Sequence, residues 1–161
     1  DDSSASYQPI LSFEPLDETA ETALAERFAE QVRGLRSRAE QHGKSLRIFH
    51  WHHPEVSRTR KFAAVKAALE GVTEDLLKWF NAHYFARTSS SIKDVAAIFG
   101  FSWGVDNPGG QAAMRMIELA RGTGPDAEDA RRWCLHYNEC DVAAQAAIRD
   151  GLRRQHGGGL P

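Results

Sequence analysis

Tyr137 and Asp141 are the two side chains whose types and spacing most directly suggest chemistry. They lie in LHYNECDVAAQAAIRD (135–150), which has the pattern of an amphipathic helix, and a spacing of four residues stacks them on one helical face. A phenol can orient an attacking water, but one carboxylate binds Mg²⁺ poorly, so other acids must converge on the pair. Glu139 points elsewhere. A polar edge on an ordinary helix has the same spacing, and both interpretations stay open at this point.

A second polar cluster, FHWHHPE (49–55), follows a run that alternates like a buried strand. Open α/β sheets place their sites at the carboxyl ends of strands, so Glu55 is expected at such an edge. His50 and His52 share one side of the strand. With Glu55 they have the donor types of a zinc or iron site. The alternative is that these histidines line a groove or form hydrogen bonds near the sheet.

Lys93 lies at the start of a predicted helix, below three serines, in TSSSIKDVAAIFGFSW (88–103). The backbone amides of a helix start attract phosphate, and the ammonium of Lys93 adds a positive charge. Ser91 lies at the same helix start. This segment therefore suits contact with a phosphate group, and plain surface charge is the alternative.

Predicted strands and helices alternate along the chain, and these elements must position the candidate side chains. Thr73 and Pro125 are expected to begin two of the helices, as an N-cap and as a first helical residue. A strand followed by helices, another strand and more helices indicates an α/β fold, although two or three strands are few for one. The predicted strands are 7–16 and 45–53, and the predicted helices are 18–43, 55–71, 73–85, 92–100, 109–122 and 126–154.

Length and composition are those of one ordinary globular domain. A chain of 161 residues that is 42% hydrophobic and 26% charged can form one sizeable core. We assign the domain to residues 1–154 and expect a flexible tail at 155–161. Cys134 and Cys140 form no disulfide or metal pattern, which favours a reducing, cytoplasmic setting. No apolar run approaches the length of a membrane span, so no membrane partner is expected.

Charge is unevenly distributed, although the formal net charge is only -2. No Lys or Arg precedes Arg27, whereas ten basic residues lie from Arg27 to Lys66 against three acids. Such a segment suits the phosphates of a nucleic acid, and it is equally typical of solvated helix faces.

The order of four segments along the chain resembles a known family. A strand ending near an acid is followed by DLLKWF, then SSIKDVAAIFGFSWGVDNPGG, then YNECDV. This series is similar to the ribonuclease H-like domain of bacterial RecB-like nucleases, within the DEDD 3′–5′ exonuclease superfamily, over roughly residues 45–152. The resemblance implies a three-layer, helix-rich ribonuclease H-like fold, DNA or RNA as partner, and a RecB-like nuclease domain in the same parent chain.

The resemblance also implies a site that binds two Mg²⁺ or Mn²⁺ ions through four acids. The third exonuclease motif, Y-x-x-x-D, falls on Tyr137 and Asp141, with the tyrosine positioning the attacking water and the aspartate binding metal. The second motif falls on Glu55 as a catalytic, metal-binding acid, where the superfamily more often has Asp. The resemblance also implies that His50, Ser91 and Lys93 contact the nucleic acid. It gives Asp75 a structural or substrate-proximal role.

One departure from the family concerns the first motif, an Asp-x-Glu on the first strand. LSFEPLDE (11–18) contains acids, but only one helix separates it from Glu55, where the superfamily fits further strands. We therefore expect a chain truncated at its N-terminal side, with two of the four acids absent and metal binding weakened. A missing central strand would also leave an exposed edge that favours a homodimer.

Two functions follow from the resemblance. The first is metal-dependent phosphodiester hydrolysis, 3′–5′ exonuclease-like, in a nuclease of DNA repair or recombination. The alternative is a non-catalytic nucleic-acid-binding or interaction module of the same multidomain protein, which the missing first motif favours.

Overall fold

The structure, a computed structural model, describes residues 6–52, 57, 59, 61–87, 89–105 and 109–157. Helices predominate within these ranges, and one small sheet accompanies them, so the α/β class with a helix-rich content is confirmed. The elements in chain order are α1 (Glu18–Gln41), β1 (Ile48–His50), α2 (Ala63–Leu69), β2 (Thr73–Asp75), α3 (Leu76–His83), α4 (Ile92–Ile98), α5 (Gly110–Ala120) and α6 (Pro125–Gln155).

Strands β1 and β2 form a two-stranded parallel sheet within the described residues. Ile48 pairs with Thr73, and His50 pairs with Asp75. A parallel pair needs a crossover between its strands, and α2 lies in that connection. The carboxyl ends of both strands therefore meet at one edge, next to the start of α3.

Helix α3 begins three residues later than the sequence predicted. Thr73 was expected to cap a helix over 73–85, but Thr73–Asp75 is a strand and the prediction is wrong. Asp75 is the N-cap, and its Oδ1 accepts the backbone N–H groups of Leu77 (3.0 Å) and Lys78 (3.1 Å). Pairing with β1 outweighs the capping preference of Thr73, and Asp75 supplies an equally good cap.

The segment before α1 is irregular, so the predicted strand at 7–16 is wrong. Pro9 and Pro15 lack a backbone N–H and interrupt any ladder of hydrogen bonds. Side chains hold the segment instead. Tyr7 donates from its hydroxyl to Asn138 Oδ1 at 2.8 Å, and Gln31 Nε2 donates to Gln8 Oε1 at 2.8 Å.

Two apolar clusters fix helices α1–α4 and α6. One joins β1, α3, α4 and α6, and the other packs α1 against α2. Ala144, Ile148 and Leu152 are fully buried in the first cluster, at four-residue spacing along α6. This stripe sets the rotation of α6 about its own axis, and so determines which way residues 137 and 141 point.

Gly151 allows the close approach of α4 and α6. A Cβ built at this position would overlap the ring of Phe99, which closes α4. Every other residue type has a Cβ, so the packing of these two helices requires glycine here.

Helices α1 and α6 are long enough to cross a bilayer, with 24 and 31 residues. None of the described helices is apolar enough to do so.

Candidate functional site

One face of α6 carries Tyr137 and Asp141, as their spacing predicted. Trp133 extends this face by one more turn, and its ring stacks on Tyr137 with centroids 5.0 Å apart and planes 7° from parallel. Glu139 points away from the face, where its carboxylate lies 3.7 Å from His136 Nδ1. The face therefore presents two stacked rings and a single carboxylate.

Trp103 approaches this face from the loop after α4. Its indole Nε1 donates to Asp141 Oδ1 at 2.9 Å. Phe101 meets the Trp103 ring edge-on, with centroids 5.1 Å apart, and holds the orientation of the indole. Asp141 therefore has one oxygen in a hydrogen bond, while the described residues provide no donor for Oδ2.

Lys93, in the first turn of α4, places its ammonium over both rings. Nζ lies 5.7 Å from the centroid of Tyr137 and 5.9 Å from that of Trp103, within cation–π range. Half-buried Lys93, Trp103, Tyr137 and Asp141 thus form one group, hereafter the Lys93–Asp141 group. It combines a cation, a carboxylate, a phenol and an indole.

Burial and the neighbouring charge of Lys93 act on the pKa of Asp141 in opposite directions. Burial raises the pKa of Asp141 above its ordinary value, whereas the hydrogen bond from Trp103 and the charge of Lys93 lower it. The net direction is upward. Burial, and then the negative charge of Asp141, also raise the pKa of Tyr137. The phenol stays protonated near neutral pH, so it can orient a water but cannot act as a base.

Comparison with protein-family models matches residues 7–153 to the family described as RNase_H superfamily. The chain belongs to the RNase_H superfamily. No curated protein and no solved structure matches it significantly. The match confirms the ribonuclease H-like part of the resemblance and covers both the Lys93–Asp141 group and the segment before α1.

In this RNase H superfamily chain, Ser91 has a capping role. Its Oγ accepts the backbone N–H of Asp94 at 3.2 Å and donates to the Asp94 carboxylate at 2.7 Å. Ser89 also donates to that carboxylate, and the two hydrogen bonds lower the pKa of Asp94. This local network fixes the start of α4, and therefore the position of Lys93. A contact of Ser91 with nucleic acid stays a prediction.

His50, the last residue of β1, has its described contacts with β2 and with His52, and not with the Lys93–Asp141 group. It pairs with Asp75, and its Nδ1 lies 3.1 Å from the carbonyl oxygen of His52. His52 has a left-handed backbone (φ 91°), and its N–H lies 3.4 Å from Asp75 Oδ1. Asp75 is thus structural, one of its two expected roles. His50 stays a predicted nucleic-acid ligand.

The two-metal site that the resemblance implies stays a prediction. No three His, Cys, Asp or Glu side chains are placed to hold an ion in the described ranges. Asp141 supplies one carboxylate there, and a pair of ions needs more. Glu55, the other predicted catalytic acid and metal ligand, lies outside the described residues. The alternative zinc or iron site at His50, His52 and Glu55 is likewise left as a prediction.

Trp103 and Tyr7 contact Asp141 and Asn138, respectively, and the sequence did not single out either of them. Trp103 stands in the FGFSW stretch that carries the resemblance, which is the signal that could have identified it. Tyr7 gives a role to Asn138, the neighbour of Tyr137, through a contact that spans 131 positions of sequence. No local pattern contains such a contact.

Proposed function

We propose that this RNase H superfamily chain processes nucleic acid by metal-dependent phosphodiester hydrolysis at the Lys93–Asp141 group. The observation that carries the proposal is the convergence of Lys93 and Trp103 on Tyr137 and Asp141, from a different helix and loop. A helical polar edge without function has no need of a partly buried carboxylate facing a cation. Membership of the superfamily supports nucleic acid as the substrate class.

Each side chain of the group has a role that its geometry allows. Asp141 would offer Oδ2 to Mg²⁺ or Mn²⁺, with Oδ1 held by Trp103. A bound ion would supply Lewis acidity and a more acidic water. The protonated phenol of Tyr137 would orient that water, and Lys93 would offset negative charge on the phosphate through its three N–H donors. Glu55 is the proposed second acid.

The finer parts of the proposal come from the resemblance. They are a 3′–5′ exonuclease mode, a cytoplasmic RecB-like parent nuclease acting in repair or recombination, and a three-layer fold whose sheet includes β1 and β2. Within the described residues these strands pair only with each other, so their outer edges suit further strands or a homodimer.

The test is hydrolysis of a 5′-labelled single strand, as DNA and as RNA, in Mn²⁺ and in EDTA. We expect the chain to shorten the strand stepwise in Mn²⁺ and to be inactive in EDTA. Asp141→Asn, purified identically, should be inactive in both. Equal activity of the variant and the unchanged chain would reveal a contaminant or another site, and would refute the proposal.

A second candidate function is nucleic-acid binding without catalysis. It is favoured by a specific observation, since Asp141 is the one carboxylate of the Lys93–Asp141 group and already accepts from Trp103. This candidate predicts that the strand binds equally well in Mn²⁺ and EDTA, stays intact in both, and binds less tightly to Lys93→Gln.

A further inference from the structure

A polar cleft of about 780 Å³ lies between residues 7–10 and α1. Tyr7 and Gln8 form one wall, and Arg27, Gln31 and Arg38 line the other. The sequence drew attention to the basic segment that starts at Arg27, and the hydrolysis proposal makes no use of it.

The two arginines share one face of α1 because they stand eleven residues apart, close to three full turns. At a rise of 1.5 Å per residue their Cα atoms are about 16 Å apart, a span that covers more than one phosphate of a strand. Gly34 lies between them and leaves the floor of the cleft without a side chain. Both arginines are exposed, and neither forms an ion pair within the described ranges.

Tyr7 connects the cleft to α6, the helix that carries Tyr137 and Asp141. The Tyr7 hydroxyl binds Asn138, which directly follows Tyr137 on α6. Gln8, the next residue, is bound by Gln31 on α1. Residues 7 and 8 therefore bridge from α6 to α1, and a strand that passes Tyr137 and crosses this bridge would reach the arginines.

Two acids oppose phosphate binding in this region. Glu30 lines the cleft, and Glu139 is close enough to raise the pKa of Tyr7, after the larger effect of burial. The chain as a whole is also slightly acidic. Affinity for a polyanion must therefore come from local placement of Arg27 and Arg38, and Glu30 should limit it.

We propose that this cleft is a phosphate-binding track for single-stranded nucleic acid beyond the segment held at the Lys93–Asp141 group. The proposal rests on nucleic acid being the substrate, as proposed above. It adds a second contact area, made by Arg27 and Arg38 on α1 and by Tyr7 at the junction with α6.

The test is fluorescence anisotropy of a labelled single-stranded oligonucleotide in EDTA, with salt varied. The double variant Arg27→Gln/Arg38→Gln should bind on the order of 10-fold less tightly at low salt. Its slope of log affinity against log salt should fall by about 1.4, since each phosphate contact on a single strand contributes about 0.7. Glu30→Gln should bind more tightly than the unchanged chain.

Arg33→Gln is the matched control, because Arg33 is an exposed arginine of the same helix that does not line the cleft. The loss of binding free energy in the double variant should exceed twice the loss in Arg33→Gln. If it does not, the charge of α1 acts non-specifically and the track is refuted. Failure of the unchanged chain to bind at low salt also refutes it. Unchanged melting curves, followed by circular dichroism, exclude unfolding as the cause of any loss.

The outcomes separate this proposal from the hydrolysis proposal. Arginine-dependent binding by a chain that never cleaves would retain the track and remove catalysis. Cleavage that requires Asp141 but shows the same affinity in every arginine variant would retain catalysis and remove the track.

Discussion

Asp75, at the junction of β2 and α3, and Asp141, in the middle of α6, are both half-buried acids, and their carboxylates have different partners. Asp75 Oδ1 lies within 3.0–3.4 Å of three backbone N–H groups, those of His52, Leu77 and Lys78. Asp141 Oδ1 accepts from one side chain, the indole of Trp103.

The type of donor decides what each acid can do. Backbone N–H groups at a helix start cannot move without loss of the helix, so the carboxylate of Asp75 is committed to holding β1, β2 and α3 together. Asp141 accepts from a single side chain, which can move without loss of α6, so its carboxylate is not committed to holding the fold. Burial of Asp141 is a cost to folding, which is expected of a functional group and not of a helix cap.

The largest expected effect is on activity. Asp141→Asn should lower Mn²⁺-dependent hydrolysis on the order of 100-fold or more, because the proposed metal ligand and its charge are lost together. Asp75→Asn should retain activity within a few-fold, since asparagine caps a helix as well as aspartate does. Initial rates on the same labelled strand measure both. Comparable losses in the two variants would place Asp75 in the site and break the comparison.

Stability should show the reverse order. Asp75→Ala removes the cap of α3 and should lower the free energy of unfolding by about 1 kcal/mol, and by up to about 2 kcal/mol. Asp75→Asn is the control and should recover most of that loss. Asp141→Asn should not destabilise the chain. Urea unfolding followed by circular dichroism gives all three values, and a larger loss at Asp141 than at Asp75 would contradict the structural role of Asp75.

Local sequence patterns were sufficient for part of this comparison. The apolar spacing and Pro125 predicted α6, and the helical period placed Tyr137 and Asp141 on one face. Ser91 predicted the start of α4 because capping depends only on neighbouring residues. Strands β1 and β2 depend on pairing between separate segments of the chain, and only β1 was expected.

The remainder depended on contacts between distant residues. Trp103 lies 38 positions from Asp141, and Tyr7 lies 131 from Asn138, so no window of sequence contains either pair. The short β2 strand exists because Thr73 and Asp75 pair with β1, a preference that the residues of this segment do not reveal by themselves. Family resemblance supplied the order of these segments along the chain but not their contacts.

Trp103→Phe tests whether the side-chain donor distinguishes Asp141 from Asp75. The ring is retained and only the N–H is lost, which should cost about 1 kcal/mol of unfolding free energy. Because that hydrogen bond lowers the pKa of Asp141, the pKa should rise further in the variant. Carboxyl NMR titration measures it. Trp133→Phe is the control, since Trp133 stacks on Tyr137 without bonding Asp141, and equal shifts in both variants would refute the role of Trp103.

The smallest expected effect is the pH dependence of stability at Asp141. Burial raises its pKa in the folded chain, so the folded state holds the proton at a higher pH than the unfolded chain does. Stability from this group therefore falls as pH rises from the unfolded to the folded pKa, and the full penalty applies above that interval. Asp141→Asn removes the penalty. Its gain in unfolding free energy should be full at neutral pH and should vanish below the unfolded value, about 3.9.

Urea unfolding of both chains in EDTA, from neutral to acidic pH, measures this difference. Asp75→Asn is again the matched variant, because it makes the same change of side chain at a residue that caps α3, and asparagine retains the cap. If the gain in unfolding free energy of Asp141→Asn stays constant with pH, the substitution acts through packing. A gain that grows toward acid would mean that the folded chain favours the charged carboxylate. That outcome would contradict a cost of burial at Asp141 and would remove the argument that this carboxylate is held for function.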